Sequence, residues 1–147
     1  MAREQFIMLI EDNPDDEELT VRAIRRSQVM VEIFVARDGE EAMNFLFAEG
    51  DQEGRDLSEM PNLVLLDLKL PMIGGHRILE RMRATAHTRR IPVVVLTSSN
   101  EEGDIERAYD LGANSYIRKP VNSEEFLSSV SQLGLYWLTL NEPAPQR

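Results

Sequence analysis

The sequence predicts a doubly wound α/β domain with a five-stranded parallel sheet. Five short apolar runs alternate with five amphipathic stretches, and the runs are almost unbroken by polar residues, as strands covered on both faces require. Four of the runs also stop at polar residues that can do chemistry.

Residues 5–10 form the first strand signal and lead directly into Glu11-Asp12-Asn13-Pro14. Asn13 suits a helix cap and Pro14 suits the first turn, while acids at 15–18 lie where the helix dipole favours negative charge. Leu19, Ala23 and Ile24 supply the core-facing stripe. A β-branched run at 29–35 leads to Asp38-Gly39-Glu40-Glu41, a helix start with Ala42, Phe45 and Leu46 on one face.

Residues 49–61 read as a long polar loop. The next apolar run ends at Asp67 and is followed by Pro71 and Gly74-Gly75, then by a helix with Ile78, Leu79 and Met82 inward. A fourth strand at 91–96 stops at Thr97-Ser98-Ser99-Asn100. Asn100 is the expected cap of the following helix and Gly112 its terminator. After a short strand at 114–118 come Lys119-Pro120 and a last helix, with Ser123 as its expected cap and Phe126, Leu127, Val130, Leu133 and Trp137 as its marks. Right-handed crossovers then give helices on both faces and the flavodoxin-like strand order 2-1-3-4-5. Residues 1–140 are expected to form this single domain and 141–147 an irregular tail.

Composition narrows the function. Sixteen Lys and Arg against 26 Asp and Glu give a formal charge of −10, which argues against nucleic-acid binding. With no cysteine and only His76 and His87, thiol chemistry is excluded and a zinc site of the usual ligands is disfavoured. No apolar run approaches the roughly 18 residues that a membrane span needs, and no leader pattern opens the chain. A cytoplasmic protein without membrane or nucleic-acid partners is expected.

In a doubly wound sheet the carboxyl ends of the strands share one edge, the usual place for ligands. Glu11, Asp12, Asp67, Thr97 and Lys119 all fall there. Three gathered carboxylates repel one another unless a cation offsets the field, and a hard divalent ion with oxygen ligands is the expected answer. Magnesium is favoured, with manganese an alternative. Asp12 and Asp67 would be direct ligands, Glu11 a ligand through water, and the Lys69 backbone carbonyl would complete the set. A carboxylate beside a metal, a lysine and a hydroxyl is a reasonable phosphoryl acceptor, which makes Asp67 the candidate nucleophile and Lys119 and Thr97 its stabilisers.

Glu11-Asp12, Asp67 with Pro71 and Gly74-Gly75, Thr97-Ser98 and Lys119-Pro120 together resemble bacterial two-component receiver domains over about residues 5–138. The resemblance implies magnesium-dependent phosphorylation of Asp67 by a sensor histidine kinase, followed by loss of the phosphoryl group to water. The chain would thus be a signalling protein that acts only on its own phosphorylation state. The resemblance also implies a cis Lys119–Pro120 peptide, a switch pairing Thr97 with Tyr116, and control of the phosphoryl lifetime near Lys69 and Ser99. The long loop, the Glu-Asp-Asn-Pro opening and the Tyr136-Trp137-Leu138 extension look like the stand-alone regulators of phytochrome-type kinases, which carry no output domain.

Two other readings compete: a constitutive interaction module, and a magnesium-dependent aspartyl-phosphate phosphatase. The second is disfavoured because Lys69 stands where such enzymes carry a second acid. His76, His87 and the arginines at 77, 81, 83, 89 and 90 read as solvated surface. The last-helix extension reads as an apolar patch beside the helix 4–strand 5–helix 5 face, suited to a homodimer.

Overall fold

The computed structural model describes residues 5–98, 101–119 and 122–145. The elements run β1 (Phe6–Ile10), α1 (Pro14–Arg26), β2 (Glu32–Ala36), α2 (Gly39–Phe47), β3 (Leu63–Leu66), α3 (Gly75–Ala84), β4 (Val93–Thr97), α4 (Glu102–Asp110), β5 (Ser115–Arg118) and α5 (Ser123–Leu135). All strand pairs are parallel and the order is β2-β1-β3-β4-β5, as the sequence predicts.

Alternation along each strand sorts the core into two halves. Met8, Ile10, Val64, Leu66, Val93 and Val95 pack with Leu46 of α2 and Ile78, Leu79 and Met82 of α3. Ile7, Leu9, Leu63, Leu65, Val94 and Leu96 pack on the other face with Ala23 and Ile24 of α1 and Phe126, Leu127 and Val130 of α5. Continuous apolar runs are needed because both faces of every central strand are dry.

The caps hold the helices close to their expected starts. The Asn13 side-chain oxygen accepts from the amides of Asp15 (2.8 Å) and Asp16 (3.1 Å), and that of Asp38 accepts from Glu41 (2.7 Å). For α5 the cap is Asn122 and not Ser123: its side chain accepts from Glu124 at 2.9 Å and Glu125 at 3.4 Å. Two adjacent residues were both competent, and the extended backbone at Asn122 (φ −87°, ψ 116°) decides between them. Gly112, at φ +101°, follows the end of α4 as expected. α4 starts one residue later than expected, with Glu101 at the cap position and no side-chain cap bond, while Asn100, Ser99 and the Lys119–Pro120 peptide lie outside the described residues.

Three surface readings change. The 49–61 segment is no free loop: it contains a 3₁₀ turn (Gly50–Gln52), buries Met60, and is pinned by Arg55. The Arg55 guanidinium donates to the carbonyls of Phe45 (3.0 Å) and Glu59 (2.7 Å) and stacks on the Phe45 ring. Both histidines are half-buried and bound to carbonyls, His87 Nε2 to Leu46 at 2.8 Å and His76 Nε2 to Asp104 at 3.3 Å.

Two of the three arginines of α3, Arg81 and Arg83, are likewise structural, whereas Arg77 is exposed as expected. Arg81 forms a two-pronged pair with Glu49 (2.7 and 2.8 Å) while its guanidinium lies over Phe47. Arg83 donates to the carbonyls of Gly112 (2.8 and 2.9 Å), Ile91 (2.8 Å) and Arg89 (2.9 Å) and to the Asn114 side chain (3.0 Å). It thereby ties α3 to the loops before β4 and β5. Arg83→Ala orphans several partly buried carbonyls together, and chemical denaturation should show a loss of about 2 kcal/mol with an unchanged slope.

After α5 the chain continues as a π turn (Tyr136–Leu140). Leu138 is buried and Trp137 half-buried against the α1–α5 side of the core, whereas Leu135, Tyr136 and Leu140 are 46%, 48% and 72% exposed. The extension therefore closes part of its own core and leaves the rest uncovered.

Candidate functional site

Backbone pairing carried one residue past the strands brings the acids together. The Glu11 amide donates to Ala36 O (3.0 Å) and the Asp67 amide to Ile10 O (3.1 Å), so both side chains leave the same edge of the sheet. Carboxylate oxygens of Glu11, Asp12 and Asp67 lie within 4.8 Å of one another. Glu11 and Asp67 are buried and Asp12 is exposed, which gives the cluster a solvent-facing side.

Lys119 reaches this edge from the end of β5, where its amide donates to Thr97 O at 2.8 Å. Its Nζ contacts Glu11 Oε1 at 2.6 Å, Asp16 Oδ2 at 2.8 Å and Asp67 Oδ2 at 3.3 Å. An ammonium has three protons to donate, and all three find carboxylates. Asp67 Oδ1 also accepts from the Lys69 amide at 3.1 Å, which fixes the carboxylate plane. Thr97 is fully buried at the end of β4, and Tyr116 packs half-buried against the core on the α3 side.

The acids predicted at the edge thus come together with Lys119. Asp16 was missed: the run of acids at the start of α1 was read only as a match to the helix dipole. Its position carried a signal, since Asp16 begins the stripe Asp16, Thr20, Ala23, Ile24 at helical spacing, and the last three are buried. Asp15, one residue back, faces solvent.

Burial pushes the Glu11 carboxyl up from the ordinary 4.5 to about 8; the hydrogen bond from Lys119 offsets this in part, and Asp67 adds to it. For Lys119 burial works against the charge, but the carboxylates of Asp16, Glu11 and Asp67 outweigh it and hold the ammonium above its usual range. Because folding raises the Glu11 value, the folded chain binds more protons than the unfolded chain between pH 4.5 and about 8. This contribution to stability is therefore complete below pH 4.5 and disappears as pH rises through about 8. Thermal unfolding of the metal-free protein should show a midpoint that falls across this range, with a flatter fall in Glu11→Gln.

The donor set is all oxygen, carries several negative charges and opens to water at Asp12, so it fits a hard divalent cation. Glu11, Asp12 and Asp67 are the residues that would hold it.

A model of the response regulator receiver domain matches residues 7–131, and the chain belongs to that family. It is 40% identical over 142 residues to the "Probable methanogenesis regulatory protein FilR2" of Methanothrix harundinacea, covering 95% of this chain and 88% of that protein. It is 37% identical over 141 residues to response regulator Rcp1 of Synechocystis sp., covering 95% and 94%. The structure of Mn(2+)-bound Rcp1 superposes with a TM-score of 0.87, at 34% identity over 96% of this chain and 99% of that one. The phosphorylated cyanobacterial phytochrome response regulator RcpA superposes with a TM-score of 0.89, at 36% identity over 97% of this chain and all of that one.

Proposed function

We propose that this receiver accepts a phosphoryl group on Asp67 from the phosphohistidine of a sensor kinase. The observation that carries the reading is the geometry at Asp67, a buried carboxylate with Lys119 Nζ 3.3 Å from one oxygen and two further acids beside it. An Asp67 oxygen forms the new O–P bond as the N–P bond of the donor histidine breaks, the electron pair remaining on the imidazole nitrogen. Charge on the transferred group must be neutralised as it moves. Lys119 supplies one cation, and a bound magnesium or manganese ion would supply the other when held by Asp12 and Asp67, with Glu11 acting through water and the Lys69 carbonyl completing the set.

Thr97 would take a phosphoryl oxygen after transfer, and Tyr116 would follow it inward as the readout on β5. A kinase of the phytochrome type is the favoured partner, supported by the match to RcpA. Self-association of the α4–β5–α5 face is supported by the exposed Tyr109, Leu135, Tyr136 and Leu140.

Incubation with acetyl phosphate and Mg2+ should add one acid-stable, base-labile phosphoryl group, seen by intact mass, and chelation of the metal should prevent it. No uptake from acetyl phosphate or from any phosphorylated sensor kinase would favour a constitutive interaction module.

A further inference from the structure

Two of the three carboxylates that hold Lys119 also belong to the Glu11/Asp12/Asp67 cluster. A cation or a phosphoryl group at that cluster draws on the same Glu11 and Asp67 carboxylates. Asp16 is the exception, since it touches Lys119 at 2.8 Å from the first turn of α1 and has no place in the cluster.

Asp16 is also held firmly. Its amide is bound by the Asn13 cap at 3.1 Å, and its carbonyl accepts the Thr20 hydroxyl at 2.7 Å, with Thr20 fully buried. The Lys119 side chain is only 12% exposed, so water can replace a lost acceptor poorly.

We propose that Asp16 is a positioning residue for phosphoryl transfer: it anchors the Lys119 ammonium while Glu11 and Asp67 are engaged, aiming the remaining Lys119 protons at the group arriving on Asp67. The inference rests on the receiver reading. It assigns a part in the chemistry to α1, which begins only after the strand-end acids Glu11 and Asp12. The Asp16–Lys119 contact joins residues 103 positions apart and sets the direction of approach of the only cationic side chain in contact with Asp67 among the described residues.

The test compares Asp16→Asn, Asp16→Glu and Asp15→Asn with the wild type, using acetyl phosphate with Mg2+ and measuring metal affinity separately. Asp15→Asn removes the same formal charge one residue away without touching Lys119, so it reports any general electrostatic or helix-dipole effect. The maximal rate of phosphate uptake should fall about tenfold in Asp16→Asn, or about 1.4 kcal/mol. Metal affinity should move no more than in Asp15→Asn, and Asp16→Glu should recover most of the rate. Equal rates in Asp16→Asn and Asp15→Asn overturn the inference, whereas no uptake by the wild type overturns the receiver reading instead.

A second measurement needs no variant. In the wild-type chain with Mg2+ and beryllofluoride, the Lys119 ammonium resonance should retain its hydrogen-bond coupling to the Asp16 carboxyl carbon. Loss of that coupling on addition of beryllofluoride overturns the inference.

Discussion

Asp67→Asn should take up no phosphoryl group under conditions that fully modify the wild type. The amide oxygen can still accept from the Lys69 amide, so the loop keeps its shape, but a carboxamide has no anionic oxygen to form the O–P bond. Removing one of three crowded acids also relieves repulsion, so the metal-free variant should unfold at a midpoint equal to or above that of the wild type. A stable fold with no mass increase would confirm the acceptor. Residual uptake would assign it elsewhere, with the exposed Asp12 the first residue to examine.

Gly75→Ala should be the most damaging single-methyl change near the site. A Cβ there would lie 2.4 Å from Asp67 O and 2.8 Å from Leu68 Cα, both backbone atoms of the segment that presents the Asp67 carboxylate. Neither can move without shifting that segment, which the Gly75 amide itself braces through a 3.0 Å bond to Leu68 O. Overpacking of this kind should cost about 3 kcal/mol, read as a lower denaturation midpoint, and should weaken divalent-ion binding together with stability. Gly74→Ala is the control, because its Cβ meets nothing closer than 3.7 Å and its φ of −73° suits any residue. It should stay within about 0.5 kcal/mol of the wild type. The glycine pair therefore acts through one member, which sets how closely α3 approaches the end of β3.

Much of the fold was legible because its signals are local. Continuous apolar runs marked the strands, Asn13 and Asp38 marked helix starts, and Gly112 marked an end, all within a few residues of sequence. Where two neighbours were equally competent, as with Asn122 and Ser123, only backbone conformation could choose. The 49–61 segment looked structureless because its anchor, Arg55 on Phe45, is a charged residue on an aromatic ring and carries no periodic signature. Arg83 misled for a related reason, since an arginine on a helix looks solvated until its carbonyl partners are known.

By itself the sequence determined which residues stand at the strand ends: Glu11, Asp12, Asp67, Thr97 and Lys119 follow from where each apolar run stops and from the parallel order of the sheet. Only the tertiary structure decided which of them touch, that Lys119 lies 2.6 Å from Glu11 but 3.3 Å from Asp67, and that Asp16 joins them. Strand position is set by backbone pattern over a few residues. The partner of an ammonium is set by where the sheet places α1 and the end of β5, segments far apart in the chain, and no local pattern carries that information.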